Sequence, residues 1–340
     1  MPIFSAKKIN VAINGFGRIG RTAFKALLKN QRVNVSAIND LGDIATLAHL
    51  LQYDSVYGKY MHNVTSEKNA LVVDKKVYPV FSIREPKDLP WKKLKVDVVL
   101  ECTGVFKDRV GASGHIKAGA KKVIISAPCK SKDIKTIVLG VNEEKITKKD
   151  DIISMASCTT NALSPVTAVL ENSFGIKKAI MTTVHGYTAT QNLVDGPHKD
   201  LRRARAAAIN IIPTTTGAAI ATTATIPSLT GKFDGMAMRV PVVTGSIVDA
   251  VYLLKKSVTE RAVNEALRKA SGSKKLKGIL AVTNDPLVST DIIGSPFSAI
   301  VDLGMTKVVD FDLVKVIAWY DNEWGYSNRL AEMAEVFGRN

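Results

Sequence analysis

The sequence predicts an α/β chain in which a doubly wound parallel sheet near the N-terminus is followed by an α+β domain with a largely antiparallel sheet. Three observations carry this. Apolar strand-like runs that alternate poorly, beginning with Ile9 to Ile13, have the pattern of a parallel sheet covered on both faces. A glycine-rich turn then leads directly into a helical pattern, as in a βα unit. From Ala179 onward the pattern changes to strands rich in β-branched residues, with few helical segments between them.

Composition sets the outer limits. A chain of 340 residues, 46% of them hydrophobic, suggests two cores, because single cores stop growing at about 250 to 300 residues. Cys102, Cys129 and Cys158 are odd in number and show no CxxC spacing, so neither a disulfide framework nor a metal site is expected. A reducing, cytoplasmic location fits best. The start, Met1 to Lys8, is too short and polar for a signal peptide, and no run approaches the length of a membrane span. The net charge of +16 comes from scattered lysine pairs flanking apolar runs rather than a basic, aromatic-interleaved tract, which argues against specific nucleic-acid recognition.

The first strand runs into Gly15-Phe16-Gly17-Arg18-Ile19-Gly20, and residues 21 to 28 follow as a helix with apolar Phe24, Leu27 and Leu28. This is G-x-G-x-x-G in the context it needs. Gly15 allows the tight turn, Gly17 lets main chain approach a pyrophosphate, and Gly20 lets helix pack on strand. The second strand, Val33 to Ile38, ends in Asn39-Asp40, 20 residues beyond the motif, where a carboxylate can accept both ribose hydroxyls of NAD. The competing reading is that Asp40 caps a helix over residues 45 to 51. Residues 57 to 78 read as a hairpin insertion. Val96 to Leu100 is a further buried strand ending in Glu101-Cys102-Thr103-Gly104, and Val123 to Pro128 the next, with Ser126 near its end. Thr136 to Val141 and Ile152 to Met155 complete this Rossmann-type sheet.

Ser157-Cys158-Thr159-Thr160-Asn161 places a cysteine where a helix begins. Unpaired N–H groups and the positive end of the helix dipole favour a thiolate there, so a depressed thiol pKa and a nucleophilic role are expected. Strand Ala179 to Val184 ends in His185, which one return crossing brings toward Cys158 as its base. His49, His62, His115 and His198 have no such placing, and Cys102 and Cys129 read as structural. Residues 187 to 217 form an irregular excursion whose arginines, hydroxyls and Gly217 suit phosphate oxygens. Strands over 236 to 241, 246 to 254 and 314 to 320, with a helix from about Glu260 to Ala270, make the second sheet. A last helix follows Asp321, with Leu330, Met333, Ala334 and Phe337 on one face.

Ala12 to Arg21, Ala156 to Asn161, His198 to Ala208, Pro213 to Ala219 and Trp319 to Glu323, in this order, make the chain similar to phosphorylating glyceraldehyde-3-phosphate dehydrogenases from residue 9 to residue 330. The resemblance implies an NAD-dependent aldehyde dehydrogenase of glycolysis and gluconeogenesis, acting on glyceraldehyde 3-phosphate and inorganic phosphate as a homotetramer. It implies Cys158 as nucleophile and His185 as base. Thr188, Thr190 and Arg239 match the family's site for the substrate phosphate, and Ser157, Thr159, Thr216 and Gly217, with Arg203 close by, its site for the attacking phosphate. Gly15, Phe16, Gly17, Arg18, Ile19, Asn39, Asp40, Thr103, Gly104 and Ser126 match cofactor contacts, and Asn322 the residue holding the nicotinamide carboxamide. It also implies that the last helix returns to the first domain, which gives residues 1–157 and 320–340 for the cofactor and 158–319 for the substrate.

Two departures stand out. Ala162 replaces a second cysteine of many members, and Val243 to Ser246 differs from their Asn-Val-Ser pattern. Asp40, Leu41 and Pro197 favour NAD, while the small Gly196 leaves NADP open. Two alternatives accompany this reading: erythrose 4-phosphate or another phosphorylated aldehyde by the same thioester route, and an RNA- or surface-binding role suggested by charge alone.

Overall fold

The computed structural model describes residues 8–340, and the polar segment Met1 to Lys7, which bears on the signal-peptide reading, lies outside them. The chain divides into two compact units. The first takes in residues 8–137, 144–156 and 327–340, and the second 138–143 and 157–326.

In the first unit β1 (Ile9–Asn14), α1 (Arg18–Lys29), β2 (Val33–Asn39) and α2 (Ile44–Gln52) open the chain, with a small hairpin of β3 (Tyr53–Asp54) and β4 (Gly58–Lys59) after them. There follow β5 (Val64–Glu67), β6 (Ala70–Val73), β7 (Lys76–Phe81), β8 (Val98–Glu101), α3 (Arg109–Lys117), β9 (Lys122–Ile125), β10 (Lys135–Thr136) and β11 (Ile152–Ser154). The sheet order is β10-β11-β9-β8-β1-β2-β7-β6-β5. Pairing is parallel from β10 to β7 and antiparallel beyond it, so the insertion after α2 is the expected hairpin structure. Val11, Ala12, Ile13, Val98, Val99, Leu100, Val123, Ile124 and Ile125 are buried, which is why these strands read as apolar runs rather than alternating ones. Burying each larger side chain contributes about 1.5–3 kcal/mol against leaving it in water. Because β2 lies on one side of β1 and β8 on the other, the strand order reverses at β1 and opens a crevice beyond the strands' carboxyl ends.

The second unit begins with α4 (Cys158–Phe174) and β12 (Ile176–Gly186). It continues through β13 (Ile212–Thr215), α5 (Ala218–Thr225), β14 (Phe233–Val240), β15 (Ser246–Leu254), α6 (Glu260–Ser271), β16 (Leu280–Thr283), β17 (Ala299–Val309) and β18 (Leu313–Tyr320). Its sheet runs β13-β14-β12-β15-β18-β17-β16, antiparallel except for β12 with β14 and β16 with β17. The α/β class with a second, largely antiparallel sheet is thus what the sequence predicts. In β15, Ser246, Val248, Ala250, Tyr252 and Leu254 are buried and the residues between them are half-exposed, the signature of a sheet covered more fully on one face. The last helix, α7 (Trp324–Arg339), starts on Asp321, whose Oδ1 accepts from the N–H groups of Glu323 and Trp324 at 2.9 and 2.8 Å. From Ser327 on it belongs to the first unit, where Thr22 and Ser327 pair their hydroxyls at 2.6 Å and Leu330, Met333, Ala334 and Phe337 are buried.

Three local expectations differ from the structure. Of Thr136 to Val141 only Thr136 is strand, at the end of β10; the chain turns away through Gly140 at φ 80°. Pro213 to Thr215, read as irregular, pairs with β14. The strands β16 and β17 and the helix α5 have no counterpart in the sequence pattern read above. The α5 sequence, AAIATTAT, is rich in β-branched residues and is held helical by its tertiary setting rather than by propensity.

Candidate active site

Within the first unit, a cleft of about 480 Å³ is lined by Asn14, Gly15, Gly17, Asn39, Asp40, Leu41, Ile83, Thr103 and Phe106 among others. Gly15 has φ 91°, and a Cβ there would stand 2.6 Å from the Thr103 nitrogen, so the turn is closed to any side chain. A Cβ at Gly17 would touch nothing in the protein. The fold therefore has no use for a missing side chain at Gly17, whereas close approach of a pyrophosphate to the main chain does. Asp40 does not cap α2; Asp43 does, accepting from the Thr46 N–H at 2.9 Å. Asp40 instead accepts from the Phe16 N–H at 2.6 Å and the Gly42 N–H at 2.8 Å, which fixes its carboxylate at the rim of the cleft. Arg18 pairs with Asp54 at 2.8 Å beside the Tyr57 ring, and Ile19 is half-buried. The Asn39 side chain is committed internally, donating to Asn14 Oδ1 and the Ile83 carbonyl and accepting from the Ile83 N–H. Thr103 and Gly104 are exposed, and the Ser126 hydroxyl donates to the Glu101 carbonyl at 2.8 Å. These residues fit a dinucleotide whose pyrophosphate lies on main chain and whose ribose meets a carboxylate.

Within the second unit, Cys158 is the first residue of α4, and Ser157 caps it by accepting from the Thr160 N–H at 3.1 Å. The cysteine Sγ lies 3.4 Å from His185 Nε2. His185 Nδ1 has two neighbours of opposite kind, the Gly186 carbonyl at 2.7 Å, which can only accept, and the Arg239 guanidinium, which can only donate; a hydrogen on Nδ1 suits the first and leaves the Nε2 lone pair facing the thiol. Arg239 Nη1 sits 2.5 Å from Nδ1 and donates to the same carbonyl at 2.9 Å. The expected depressed thiol pKa is not what this setting produces. Burial pushes the Cys158 thiol up, while the Arg239 guanidinium and hydrogen bonds around Thr159 pull against it. Burial, then the charge of Arg239, hold His185 down at about 3. Arg239 thus draws out the thiolate but opposes the imidazolium.

The remaining candidates of this unit fall into three groups. Thr188 and Thr190 pair their hydroxyls at 2.9 Å. Arg203 donates from Nε to Thr214 Oγ1 at 2.9 Å, with Asp200 3.6 Å away, and Thr216 and Gly217 stand at the start of α5. Asn322 accepts on its Oδ1 from the hydroxyls of Thr244 and Ser246 at 3.0 and 2.8 Å, which turns its NH₂ outward from them. Ser246 also accepts from the Gly186 N–H at 3.1 Å, so Asn322 is tied to the strand end that carries His185.

Two comparisons with known proteins bear on this geometry. Residues 9–109 match the model for the glyceraldehyde 3-phosphate dehydrogenase NAD binding domain, and residues 157–322 the model for its C-terminal domain. The chain belongs to the glyceraldehyde 3-phosphate dehydrogenase family. It is 53% identical over 332 residues to "Glyceraldehyde-3-phosphate dehydrogenase 2" of Streptomyces avermitilis, covering 97% of this chain and 98% of the relative. A glyceraldehyde-3-phosphate dehydrogenase of Mycobacterium avium is 51% identical over 339 residues, covering 98% and 99%. The chain is accordingly an NAD-dependent oxidoreductase, and neither the erythrose 4-phosphate nor the RNA-binding alternative is favoured. No helix among the described residues is long and apolar enough to cross a membrane.

Sequence reasoning missed Tyr320 and Ser246. The buried Tyr320 hydroxyl bonds with Thr159 Oγ1 at 2.9 Å and Thr183 Oγ1 at 2.8 Å, and its ring meets His185 edge-on at 6.0 Å between centroids. It therefore braces both α4, which carries Cys158, and β12, which carries His185. The available signal was its place two residues before Asn322, at the end of a strand.

Proposed function

We propose that this chain oxidises glyceraldehyde 3-phosphate to 1,3-bisphosphoglycerate through a thioester on Cys158. The observation that carries the reading is the 3.4 Å approach of Cys158 Sγ to His185 Nε2 at a helix start. NAD, when bound, accepts the hydride released from the substrate's C1. Within residues 9–109, which match the NAD binding domain model, the main chain at Gly15 and Gly17 and the Asp40 carboxylate would hold it, and the Asn322 amide would suit its carboxamide. His185 accepts the thiol proton, Cys158 attacks the aldehyde carbon, and the imidazolium returns that proton to the former carbonyl oxygen, giving a hemithioacetal with neutral His185. His185 then takes up the hemithioacetal's hydroxyl proton as C1 is oxidised, leaving the thioester. Moving the proton from sulfur to imidazole creates two opposite charges side by side, and their attraction offsets the burial that each charge alone resists.

Thr188, Thr190 and Arg239 bind the phosphate of the substrate. An anion there offsets the guanidinium charge beside His185 and makes the imidazole a stronger base at the moment the substrate is seated. Ser157, Thr159, Arg203, Thr216 and Gly217 receive the inorganic phosphate that cleaves the thioester, near two helix starts whose N–H groups favour anions. The hydroxyls of Ser157 and Thr159 already serve the α4 cap and Tyr320, so they act here as second donors.

A homotetramer accounts for the exposed apolar side chains between residues 193 and 220: Leu193, Val194, Leu201, Ile209, Ile211 and Ile220. Three free cysteines support work in the reducing cytoplasm. NADH formation followed with and without inorganic phosphate tests the chemistry. Without phosphate, one burst per site and little turnover is expected; turnover indifferent to phosphate would remove the phosphorolysis step.

A further inference from the structure

Glu101, at the end of β8, is only 2% exposed, yet it carries a carboxylate. A buried carboxylate is costly unless its lone pairs are filled, and these are. Oε1 accepts from the Thr103 N–H at 2.8 Å and from the Thr103 hydroxyl. Oε2 lies 2.6 Å from Asn14 Nδ2 and 3.0 Å from His115 Nε2. The tautomer of the fully buried His115 follows from its other nitrogen. Nδ1 is 3.0 Å from Trp91 Nε1, and an indole nitrogen can only donate; Nε2 therefore holds the hydrogen and gives it to Glu101. The result is a chain of hydrogen bonds from Trp91 in the core, through His115, to Glu101 and then to Thr103 at the surface.

Every other end of this chain reaches the dinucleotide cleft. Thr103 lines it, and its nitrogen is the atom nearest to the position a Gly15 Cβ would take. Asn14 lines it too and, through Oδ1, accepts from Asn39, which in turn holds Ile83 by two hydrogen bonds. The main-chain carbonyl of Glu101 accepts from both the N–H and the hydroxyl of Ser126. A core position needing only to be filled would be served by an apolar side chain. The Glu101 side chain instead connects the loops after β1 and β8 and, through Asn14, those after β2 and β7.

We propose that Glu101, oriented by His115 and Trp91, is the positioning residue of the dinucleotide cleft: its carboxylate holds Thr103 and Asn14 in register and so sets the affinity for NAD. The inference rests on the cleft being the NAD site. Glu101→Gln keeps the shape but replaces an acceptor pair with one acceptor and one NH₂ group facing donors. Calorimetric titration with NAD is expected to show the dissociation constant raised about tenfold or more, since hydrogen bonds to a charge are roughly twice as strong as neutral ones. The KM for NAD should rise in parallel while kcat at saturating NAD stays within about threefold, as expected when binding common to ground and transition states is lost. His115→Ala, which removes one donor, should weaken NAD by about three- to tenfold, and His115→Gln, which restores a donor, should recover most of that.

If both Glu101→Gln and His115→Ala bound NAD within twofold of the native chain, the proposal would be overturned, whatever their melting temperatures. Should Glu101→Gln fail to fold, the His115 pair decides: equal affinities for Ala and Gln variants contradict it. A native chain that bound no NAD would instead overturn the reading of the cleft and this inference with it.

Discussion

In the first unit the dinucleotide cleft is shaped by glycines without side chains, by main-chain N–H groups, and by the carboxylates of Asp40 and Glu101, which hydrogen bonds to loop N–H groups fix in place. In the second, the site rests on ionisable side chains crowded together, with Cys158, His185 and Arg239 each altering the charge its neighbours can bear. The difference is one of task. A cofactor that must be held the same way at each turnover needs fixed geometry, whereas proton and acyl transfer need groups whose charge changes. Substitutions in the first unit should therefore appear in affinity and those in the second in rate.

The sharpest break in that comparison comes from His185→Asn, which keeps bulk but removes the imidazole. Its kcat should fall by about 10²- to 10⁴-fold, the usual worth of general base catalysis, with NAD affinity in calorimetry unchanged. An unchanged kcat would take the proton transfer away from His185.

Next in size is Gly17→Ala. A Cβ there meets no protein atom, so the melting temperature should stay within about a degree, as for surface changes that touch nothing. NAD binding should nonetheless weaken by about tenfold or more, equivalent to about 1.4 kcal/mol. If instead stability fell and affinity held, Gly17 would serve the fold and not the cofactor.

Arg239→Met sharpens the electrostatic side. With the guanidinium gone, the second cause of the low His185 pKa is lost, and the imidazole should become easier to protonate. With neutral imidazole as the proposed base, the acid limb of kcat/KM, which reports the free enzyme, should lie below the 6.5 of free imidazole in native protein and move up toward it in the variant. A limb that stayed in place would sever Arg239 from the base. Smallest of all, Tyr320→Phe removes a hydroxyl shared between Thr159 and Thr183; a loss of about 0.5–1.5 kcal/mol in stability is expected, read as denaturant midpoint.

How much of this could be read in advance follows the same division. The Gly15 to Gly20 turn, Asp40 and the start of α4 at Cys158 are local: a strand, a turn and a helix adjacent in sequence, each marked by residue types that only a few conformations accept. What stayed hidden depends on register between distant strands. Ser246 meets Gly186 and Asn322 only because β15 lies between β12 and β18, and no local pattern encodes that order. Tyr320 and the Trp91–His115–Glu101 chain are hidden for the same reason, their partners lying 14 to 161 residues away. The thiol's pKa was misjudged because helix position is visible in a sequence and burial is not.

Cys158 is expected to carry the acyl group between oxidation and phosphorolysis. Incubating the protein with NAD and glyceraldehyde 3-phosphate in phosphate-free buffer, quenching in acid and mapping peptides by mass spectrometry tests it directly. The acyl adduct should be found on the peptide containing Cys158, be absent from Cys158→Ser, and disappear when phosphate is added before the quench. An adduct on Cys102 or Cys129, or full NADH production by Cys158→Ser, would contradict it.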